Sequence, residues 1–390
     1  MNSLIILPAA HENGFISHPV AAENTERMCM KKKWLDSLVE PGTGQCLTLE
    51  IKHAQGDEVM EGTLLSAGGS RYPVINGVPR FVPAELYAQN AEIDSDTVQT
   101  GRSFGDKWRK DICWELENNE ALAEEFREVF FAMLNVSGES ELRAMYKDGM
   151  TCLNAGCGVA WSEFMFNVNP NVSRFAVDLS LAVDVAIKKT MHLDNVFIAQ
   201  ADLFALPFKD GFFDIIFSAG VLHHTGDAEK SFNNLCRHLK PGGFFGIYIY
   251  CVKPFLRELA DTEIRKITTE MSFEECYAFS DAVTKLGKAF QQFTDQLIIE
   301  EDIPLLNIKR GEYNLQKFIY DHFLKCYYNR GQGHDISAVT NVDWYHPRHA
   351  SHHTRAEVTS WFVNNGLVDI VFNQPSGWEH SGYFVSGRKP

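Results

Sequence analysis

The sequence lacks the clustered cations and the long apolar runs that define two broad classes of protein. Its 390 residues include 36 lysines and arginines against 51 aspartates and glutamates, which gives a net charge of −15. An acidic chain of this kind is a poor match for nucleic acid, whose phosphates are bound by clustered lysines and arginines. No stretch approaches the roughly 18 apolar residues of a membrane-spanning helix. We therefore expect neither nucleic acid nor a membrane as a partner.

The sequence also lacks paired cysteines. None of its nine cysteines stands at CxxC spacing, so the sequence predicts reduced thiols and no metal site. The short apolar run from Leu4 to Leu7 has no positive region before it, which argues against a signal peptide. These features predict a cytoplasmic protein.

The periodicity of apolar residues changes several times along the chain and divides it into six segments. Between residues 149 and 250, strand and helix patterns alternate, which predicts an α/β fold with a parallel sheet covered on both faces. The strands are predicted near 151–155, 173–178, 195–200, 213–218 and 243–250. The six segments are a loose N-terminal arm (1–33), a small β module (34–83), a helical segment (84–148), the alternating core (149–250), a helical insertion (251–340), and a final loop, helix and strands (341–390).

Local signals support this division. Asn76-Gly77 predicts a hairpin turn in the small β module. Thr354 to Glu357 forms a capping box that opens a helix ending before Gly366. Aromatic residues at helical spacing predict one lid helix from Phe279 to Leu297 and a second from Phe318 to Tyr328. An insertion before the final strands lies above the carboxyl ends of a parallel sheet, where ligands bind, so we expect a lid. The alternative for these helices is a homodimer interface.

A glycine motif follows the first core strand. In Asn154-Ala155-Gly156-Cys157-Gly158, the glycines allow the backbone to approach a ligand. A dinucleotide site requires a third glycine at position 161, where this chain has Trp161. At the end of the second strand, Asp178 can accept hydrogen bonds from both hydroxyls of a ribose. Asp202 follows the third strand and can accept one from an exocyclic amino group.

Two further segments complete an ordered set: Phe213 to Ser218, which leads into His223-His224, and Leu239 to Gly243. The set resembles class I S-adenosylmethionine-dependent methyltransferases of the ubiquinone-biosynthesis type, closely over residues 150–250 and loosely over the last forty residues. The resemblance implies a Rossmann-like sheet and S-adenosylmethionine as cofactor. It also implies which residues contact each part of that cofactor. Gly156 and Gly158 would face the methionyl part, with Ser218 below its amino acid end and His223 near the sulfonium. Asp178 would bind the ribose, Asp202 and Leu203 would contact the adenine, and Cys157, Leu179 and Ala219 would lie beside these residues.

Two segments before the core also resemble known families. Tyr72 to Pro79 looks like the zinc-ribbon-like module of tRNA-methyltransferase activator proteins. Leu38 to Pro41 and Ser66 to Gly69 stand where its CxxC pairs would be, so we expect a β module without metal. Phe104 to Trp108 resembles a segment that precedes the methyltransferase domain in several small-molecule enzymes. Trp108 could lie over the sulfonium through a cation–π contact, with ordinary packing as the alternative.

The candidate catalytic residues are Asn154, Ser218, His223 and His346. His346 belongs to a histidine-rich loop that ends at His353, and either His223 or a histidine of this loop could act as a general base near neutral pH. A metal site in the loop is the less favoured interpretation, because no carboxylate-and-cysteine set accompanies it.

The first hypothesis is methyl transfer to a small, specialised metabolite. The second depends on Asn154, which stands where the family usually has an acidic residue. Without that charge, the amine of the cofactor is more easily neutral. It could then attack its own γ-carbon and release methylthioadenosine, as azetidine-2-carboxylate synthases do. A non-catalytic cofactor-binding partner and a macromolecular methyltransferase are further alternatives, and the second of these requires a basic face.

Overall fold

The computed structural model describes residues 30–88, 95–109 and 119–390. Most of the predicted N-terminal arm (1–33) and two parts of the predicted helical segment (84–148) therefore lie outside the described residues. The described chain forms one 12-stranded sheet, a separate two-stranded hairpin and the helices that cover them. None of the described helices has the length and apolar character needed to cross a membrane.

The bounds of the elements are as follows. The strands are β1 (Met30–Lys31), β2 (Leu47–Gln55), β3 (Glu58–Ser66), β4 (Arg71–Ile75), β5 (Val78–Phe81), β6 (Thr151–Ala155), β7 (Ser173–Asp178), β8 (Val196–Ala201), β9 (Phe213–Ala219), β10 (Leu239–Tyr250), β11 (Leu297–Ile299), β12 (Gly311–Tyr313), β13 (Val368–Asn373) and β14 (Gly382–Arg388). The helices are α1 (Asp96–Arg109), α2 (Glu120–Leu134), α3 (Glu139–Met145), α4 (Trp161–Met165), α5 (Val183–Thr190), α6 (Ala228–His238), α7 (Phe255–Thr268), α8 (Phe273–Phe290), α9 (Leu315–His322), α10 (His334–Tyr345) and α11 (Arg355–Asn364).

The large sheet has the order β1-β3-β4-β5-β8-β7-β6-β9-β10-β14-β13, with β2 paired to β3. The pairs from β5 to β10 are parallel, and β14 runs antiparallel between β10 and β13. Strand β8 is buried along its whole length, as expected for a parallel strand covered on both faces. This is the Rossmann-like sheet of class I methyltransferases, and it confirms the predicted fold class.

The small β module is continuous with this sheet, which the sequence pattern did not predict. Its strand β5 pairs in parallel with β8, so that Arg80 lies opposite Gln200 and Phe81 opposite Ala201. Trp34 packs edge-on against Phe175, with ring centroids 5.2 Å apart, and joins the main core. The module is therefore an extension of the core sheet, and in the structure it already begins with β1.

The aromatic insertion extends from residue 251 to the end of α10, and we call residues 251–345 the lid. Its helices are shorter than predicted. Helix α8 ends at Phe290, and Leu297 lies in β11; helix α9 ends at His322, and Tyr327 lies in a loop. Side chains replace helical hydrogen bonds in that loop, because the Tyr327 N–H donates to Asn341 Oδ1 at 3.0 Å.

Other local predictions are confirmed. Asn76 and Gly77 have φ of +49° and +74° in the turn between β4 and β5, as a tight hairpin turn requires. The capping box of Thr354 and Glu357 opens α11, which ends before Gly366.

Candidate active site

A cavity of about 730 Å³ lies between the carboxyl ends of the parallel strands and the lid. This is the edge of an open α/β sheet at which ligands bind. The glycine turn (residues 156–158), Asp178 and Asp202 form one side of the cavity, while Tyr320 and Trp344 belong to the lid side. The predicted lid therefore contributes directly to the wall of the cavity.

The glycine turn has a geometry that only glycine fits well. Gly156 has φ of +84°, and a Cβ there would lie 2.4 Å from the side chain of Val221. The N–H groups of Gly156 and Cys157 both donate to the Val177 carbonyl at 2.8 Å. Because these donors already have an acceptor, the turn is not arranged as a nest for pyrophosphate. It suits a ligand that approaches the backbone without a phosphate group.

Asp178 is fixed at the end of β7 by backbone and side-chain donors. Its Oδ2 accepts from the Gly158 N–H at 2.7 Å, and its Oδ1 accepts from the Ser180 N–H and hydroxyl at 2.8 and 2.7 Å. Each carboxylate oxygen has more than one lone pair, so the group can still accept from a ligand. Burial raises the pKa of Asp178 above its usual value. Asp202 accepts from the Phe204 N–H at 2.9 Å, and burial raises its pKa also.

Most of the predicted cofactor-binding residues line the cavity. They are Trp108, Gly156, Cys157, Gly158, Asp178, Leu179, Asp202, Leu203 and Ala219. Trp108 lies against Gly158, where an added Cβ would be 3.2 Å from the indole nitrogen. The ammonium of Lys107 lies 3.9 Å from the centroid of a Trp108 ring, so the chain itself supplies a cation at this aromatic ring.

Ser218 and Asn154, predicted as catalytic, lie behind the cavity wall and do not line it. The Ser218 hydroxyl donates to the Ala155 carbonyl at 2.8 Å. The Asn154 amide donates to Ser162 Oγ and to Glu163 Oε2, both at 2.9 Å. Both residues belong to buried strands, and their polar atoms are used to join neighbouring elements. Their role in this structure is to support the wall.

Asn154 has a buried carboxylate beside it. Glu163 is almost completely buried, and its carboxylate lies 3.5 Å from the guanidinium of Arg174. Burial raises the pKa of Glu163, and the positive charge of Arg174 opposes that rise. Glu163 thus supplies, one hydrogen bond away from Asn154, the carboxylate that the family usually has at position 154. This carboxylate is paired with Arg174 and does not line the cavity.

The two histidines predicted as catalytic are also displaced from the cavity. His223 stacks on Tyr250 with centroids 3.5 Å apart, and its Nδ1 accepts from the Tyr250 N–H at 3.2 Å. Burial lowers the pKa of His223 far below its usual value. The ring of His346 lies between the Ser103 hydroxyl at 2.7 Å and the Met271 carbonyl at 3.1 Å. Both nitrogens of His346 have neighbours, whereas Nε2 of His223 is buried and has no hydrogen-bond partner among the described residues, and neither ring lines the cavity.

Three other histidines line the cavity: His224, His349 and His380. Nδ1 of His224 lies 2.8 Å from the His349 carbonyl, and burial lowers the pKa of His224 to about 3. Burial also lowers the pKa of His349. The remaining histidines of the predicted loop have protein partners, since His352 lies 2.8 Å from Glu258 and His353 lies 2.8 Å from Ser351. Within the described ranges, no three histidine, cysteine or acidic side chains are grouped to hold a metal ion.

The lid contributes a group of cations that sequence reasoning missed. The charged ends of Lys253, Arg257 and Lys325 lie 5.1, 5.1 and 5.0 Å from the ring centroid of Trp344. We call these three residues the lid cation cluster. All three line the cavity, although only 5, 2 and 6% of their respective surfaces are exposed. They come from α7, from the residues before it and from the loop after α9, so no sequence motif joins them.

Comparisons with known proteins place the glycine turn and the strand-end acids within a known domain. Residues 153–247 match a family described as a methyltransferase domain. An uncharacterized protein of Synechococcus sp. is 24% identical over 60% of this chain and 51% of its own length. Phosphoethanolamine N-methyltransferase 3 of Arabidopsis thaliana is 31% identical over 28% of this chain and 22% of its own length. The chain thus spans about half of the first relative and less than a quarter of the second.

Among solved structures, the N-methyltransferase NodS of Bradyrhizobium japonicum in complex with S-adenosyl-L-homocysteine is 20% identical. It has a TM-score of 0.32, and the match covers 39% of this chain and 74% of that one.

The family match identifies residues 153–247 as part of a methyltransferase domain, and the cofactor of that domain is S-adenosylmethionine. This confirms the predicted enzyme class of the domain and its cofactor. The residues at the edge of the sheet fit that cofactor, because Gly156 leaves room at the backbone and two strand-end carboxylates line the same cavity. The ubiquinone-biosynthesis type, the relationship of the β module to zinc ribbons and the azetidine relationship stay predictions.

Proposed function

We propose that this chain is an S-adenosylmethionine-dependent methyltransferase whose acceptor is a small molecule. The sequence analysis predicts that this acceptor is a specialised metabolite. The observation that carries the proposal is the shared cavity, which joins the glycine turn and the strand-end acids to the lid. Its volume of about 730 Å³ lies within the range of roughly 300–1,000 Å³ common for small-molecule sites. The net charge of −15 supports a small acceptor over nucleic acid.

In this proposal, each side of the cavity has its own task. The glycine turn, Asp178 and Asp202 hold the cofactor, which supplies an electrophilic methyl group. The aromatic lid excludes water and holds the acceptor in line, and such positioning can contribute about 7–11 kcal/mol to a bimolecular transfer. Because His223 and His346 are outside the cavity, the role of general base passes to His349 or His380, which line it; His224 also lines it, but its pKa of about 3 makes it a weak base.

Cyclisation of the cofactor has less support than it had from the sequence. That hypothesis requires position 154 to determine the charge near the cofactor's amine. Asn154 does not line the cavity and is hydrogen-bonded to the carboxylate of Glu163. We therefore treat cyclisation as an outcome of the experiment below.

The experiment uses S-adenosylmethionine labelled in its methyl group, with the purified full-length chain and a small-molecule extract. We expect label to appear in an extract component and S-adenosylhomocysteine to accumulate. Methylthioadenosine together with azetidine-2-carboxylate, formed from the cofactor alone and above the uncatalysed background, would instead establish cyclisation. Label that stays in the cofactor under all acceptor conditions, despite tight S-adenosylhomocysteine binding, would contradict catalytic transfer and favour a non-catalytic partner.

The assignment of Asp178 is tested by calorimetric titration of Asp178→Ala with S-adenosylhomocysteine. Hydrogen bonds to a charged group contribute about 1.5–3 kcal/mol each, so loss of two of them predicts binding weaker by about 100-fold or more. The matched control is Asp210→Ala, which removes an exposed carboxylate paired with Arg237 and should leave binding unchanged. Binding by Asp178→Ala at the strength of the control would contradict the ribose assignment.

A further inference from the structure

The structure assigns a recognition site for a negatively charged group of the acceptor to the lid cation cluster, Lys253, Arg257 and Lys325 around Trp344. This inference rests on the proposed function and names the chemical class of its substrate, a small carboxylate or phosphate.

The first argument is the convergence of buried charges on one side chain. The three charged ends lie within 5.1 Å of the Trp344 ring centroid, and all three side chains line the cavity. Burial of a charge without a partner is costly, so such groups normally have a counter-charge. Arg257 has one, because its Nε donates to Asp261 at 2.7 Å.

The two lysines lack such a counter-charge. Lys253 donates to the carbonyls of His380 and Ser381, and Lys325 donates to the Tyr320 hydroxyl at 3.1 Å. Among residues 30–88, 95–109 and 119–390, no carboxylate lies within salt-bridge distance of either ammonium. The other lysines of the cavity wall differ in this respect, since Lys107 pairs with Asp343 and Lys317 pairs with Asp321.

A second, independent observation is an unused hydrogen-bond donor at the same place. The indole N–H of Trp344 is buried and has no acceptor among the described residues, although the side chain lines the cavity. An N–H that is buried without an acceptor costs free energy, and a ligand oxygen would satisfy it. The cluster therefore places two ammonium groups, one guanidinium and one unused neutral donor around the same part of the cavity wall.

The aromatic side chains beside the lid cation cluster favour an anion whose remaining part is apolar or aromatic. The ring of Tyr320 lies 4.9 Å from the ammonium of Lys325 and 5.1 Å from the guanidinium carbon of Arg257. Burial lowers the pKa of Lys325 to about 7 and that of Lys253 to about 8. A bound anion would favour the charged lysines, so binding should take up protons near neutral pH.

The charged groups that face Lys325 oppose one another. Arg257 lowers its pKa, while Asp261, Asp343 and Glu125 raise it, and desolvation exceeds each of these effects. The affinity for an anion should be full below the pKa of the free lysine. It should decrease as pH rises through the higher pKa that the lysine has when the anion is bound.

The test titrates the full-length protein with benzoate, with its uncharged counterpart benzamide, and with inorganic phosphate, at constant ionic strength. Tryptophan fluorescence and calorimetry report binding. We expect benzoate or phosphate to bind at least tenfold more tightly than benzamide, and the stronger of the two identifies a carboxylate or a phosphoryl acceptor. Equal binding of benzoate and benzamide, together with no binding of phosphate, would overturn the inference.

Variants separate this site from its surroundings. Lys325→Met should remove the preference for the anion, Lys325→Arg should retain most of it, and Lys317→Met is the matched control because Lys317 is already paired with Asp321. An unchanged preference in Lys325→Met would overturn the inference.

Titration with S-adenosylhomocysteine distinguishes an acceptor from the carboxylate of the cofactor. Lys325→Met should bind it as the wild type does. A parallel loss would assign the cluster to the cofactor and overturn the inference, while leaving the proposed function intact. Failure of the wild-type protein to bind S-adenosylhomocysteine would contradict the proposed function, whatever the result with benzoate.

Discussion

The two sides of the cavity differ in whether their buried charges have an oppositely charged partner. Behind the glycine turn, Arg174 faces Glu163, and Asn154 and Ser162 hydrogen-bond to the same carboxylate. In the lid, Lys253 and Lys325 are also buried, but no carboxylate of the described residues lies within salt-bridge distance of either ammonium. The buried ion pair of Arg174 and Glu163 holds one geometry, whereas ammonium groups with no carboxylate in salt-bridge distance keep a capacity for a ligand. This difference fits the proposal that the sheet edge holds the cofactor and that the lid selects the acceptor.

The largest expected effect is on the sheet side. Arg174→Met leaves Glu163 buried without its cation, and breaking a buried ion pair in this way costs about 3–5 kcal/mol of unfolding free energy. Chemical denaturation of the variant and the wild type measures this loss. The double variant Arg174→Met with Glu163→Gln should recover much of it, because no isolated charge remains.

The pH dependence of Arg174→Met provides a second check. Burial already raises the pKa of Glu163, and loss of the guanidinium removes the main opposing charge. The folded state then binds a proton more readily than the unfolded state, so stability should fall as pH rises through the raised pKa. A stability that is independent of pH across this range would contradict the account.

A smaller effect is expected at the glycine turn. In Gly156→Ala, the new Cβ would meet Val221 at 2.4 Å and the residue would keep a positive φ, so we expect a loss of about 2–4 kcal/mol. Gly149→Ala is the matched control, because its φ is +79° and nothing lies within 4 Å of the added Cβ. It should lose about 1 kcal/mol, through strain alone. Equal thermal denaturation curves for the two variants would show that the contact with Val221 has no cost.

The smallest expected effect has the opposite sign and lies in the lid. Lys325→Met removes a buried charge that lacks a counter-ion and should increase the unfolding free energy by about 1–2 kcal/mol. Because the folded pKa is lowered to about 7, the unfolded state binds the proton first as pH falls. The gain from the substitution should therefore grow from alkaline pH down to about 7 and then stay constant. A Lys325→Met variant that is less stable than the wild type at pH 7 would contradict the claim that the lid, unlike the sheet side, contains a destabilising buried charge.

The site residues on the sheet side were predicted better than those of the lid. Their positions relative to the ends of strands can be read from the local sequence. Gly156 directly follows β6 and Asp178 is the last residue of β7, and the carboxyl ends of parallel strands meet at one edge. The choice between His223 and His224 is different. The two are neighbours in sequence, but in the folded chain His223 stacks on Tyr250 while His224 lines the cavity.

The lid cation cluster was missed for a related reason. Lys253 and Lys325 are 72 positions apart, and their shared neighbour Trp344 comes from a third element. Burial without a partner is a property of the folded chain alone, and a lysine in a predicted loop is ordinarily solvated. The pairing of β5 with β8 is equally non-local, so the β module was expected as a separate unit.

That pairing also determines where the chain can be divided. A fragment that begins at residue 149 would retain the predicted alternating core but lose β5, and β8 would have an open edge where it pairs with β5, at Gln200 and Ala201. Val78 of β5 belongs to the same buried apolar cluster as Val196 and Ile198, so its loss would uncover apolar side chains beside that edge, and an exposed apolar edge is a template for aggregation. The N-terminal strands thus cover one edge of the core sheet, and we expect a fragment without them to aggregate more readily than the whole chain.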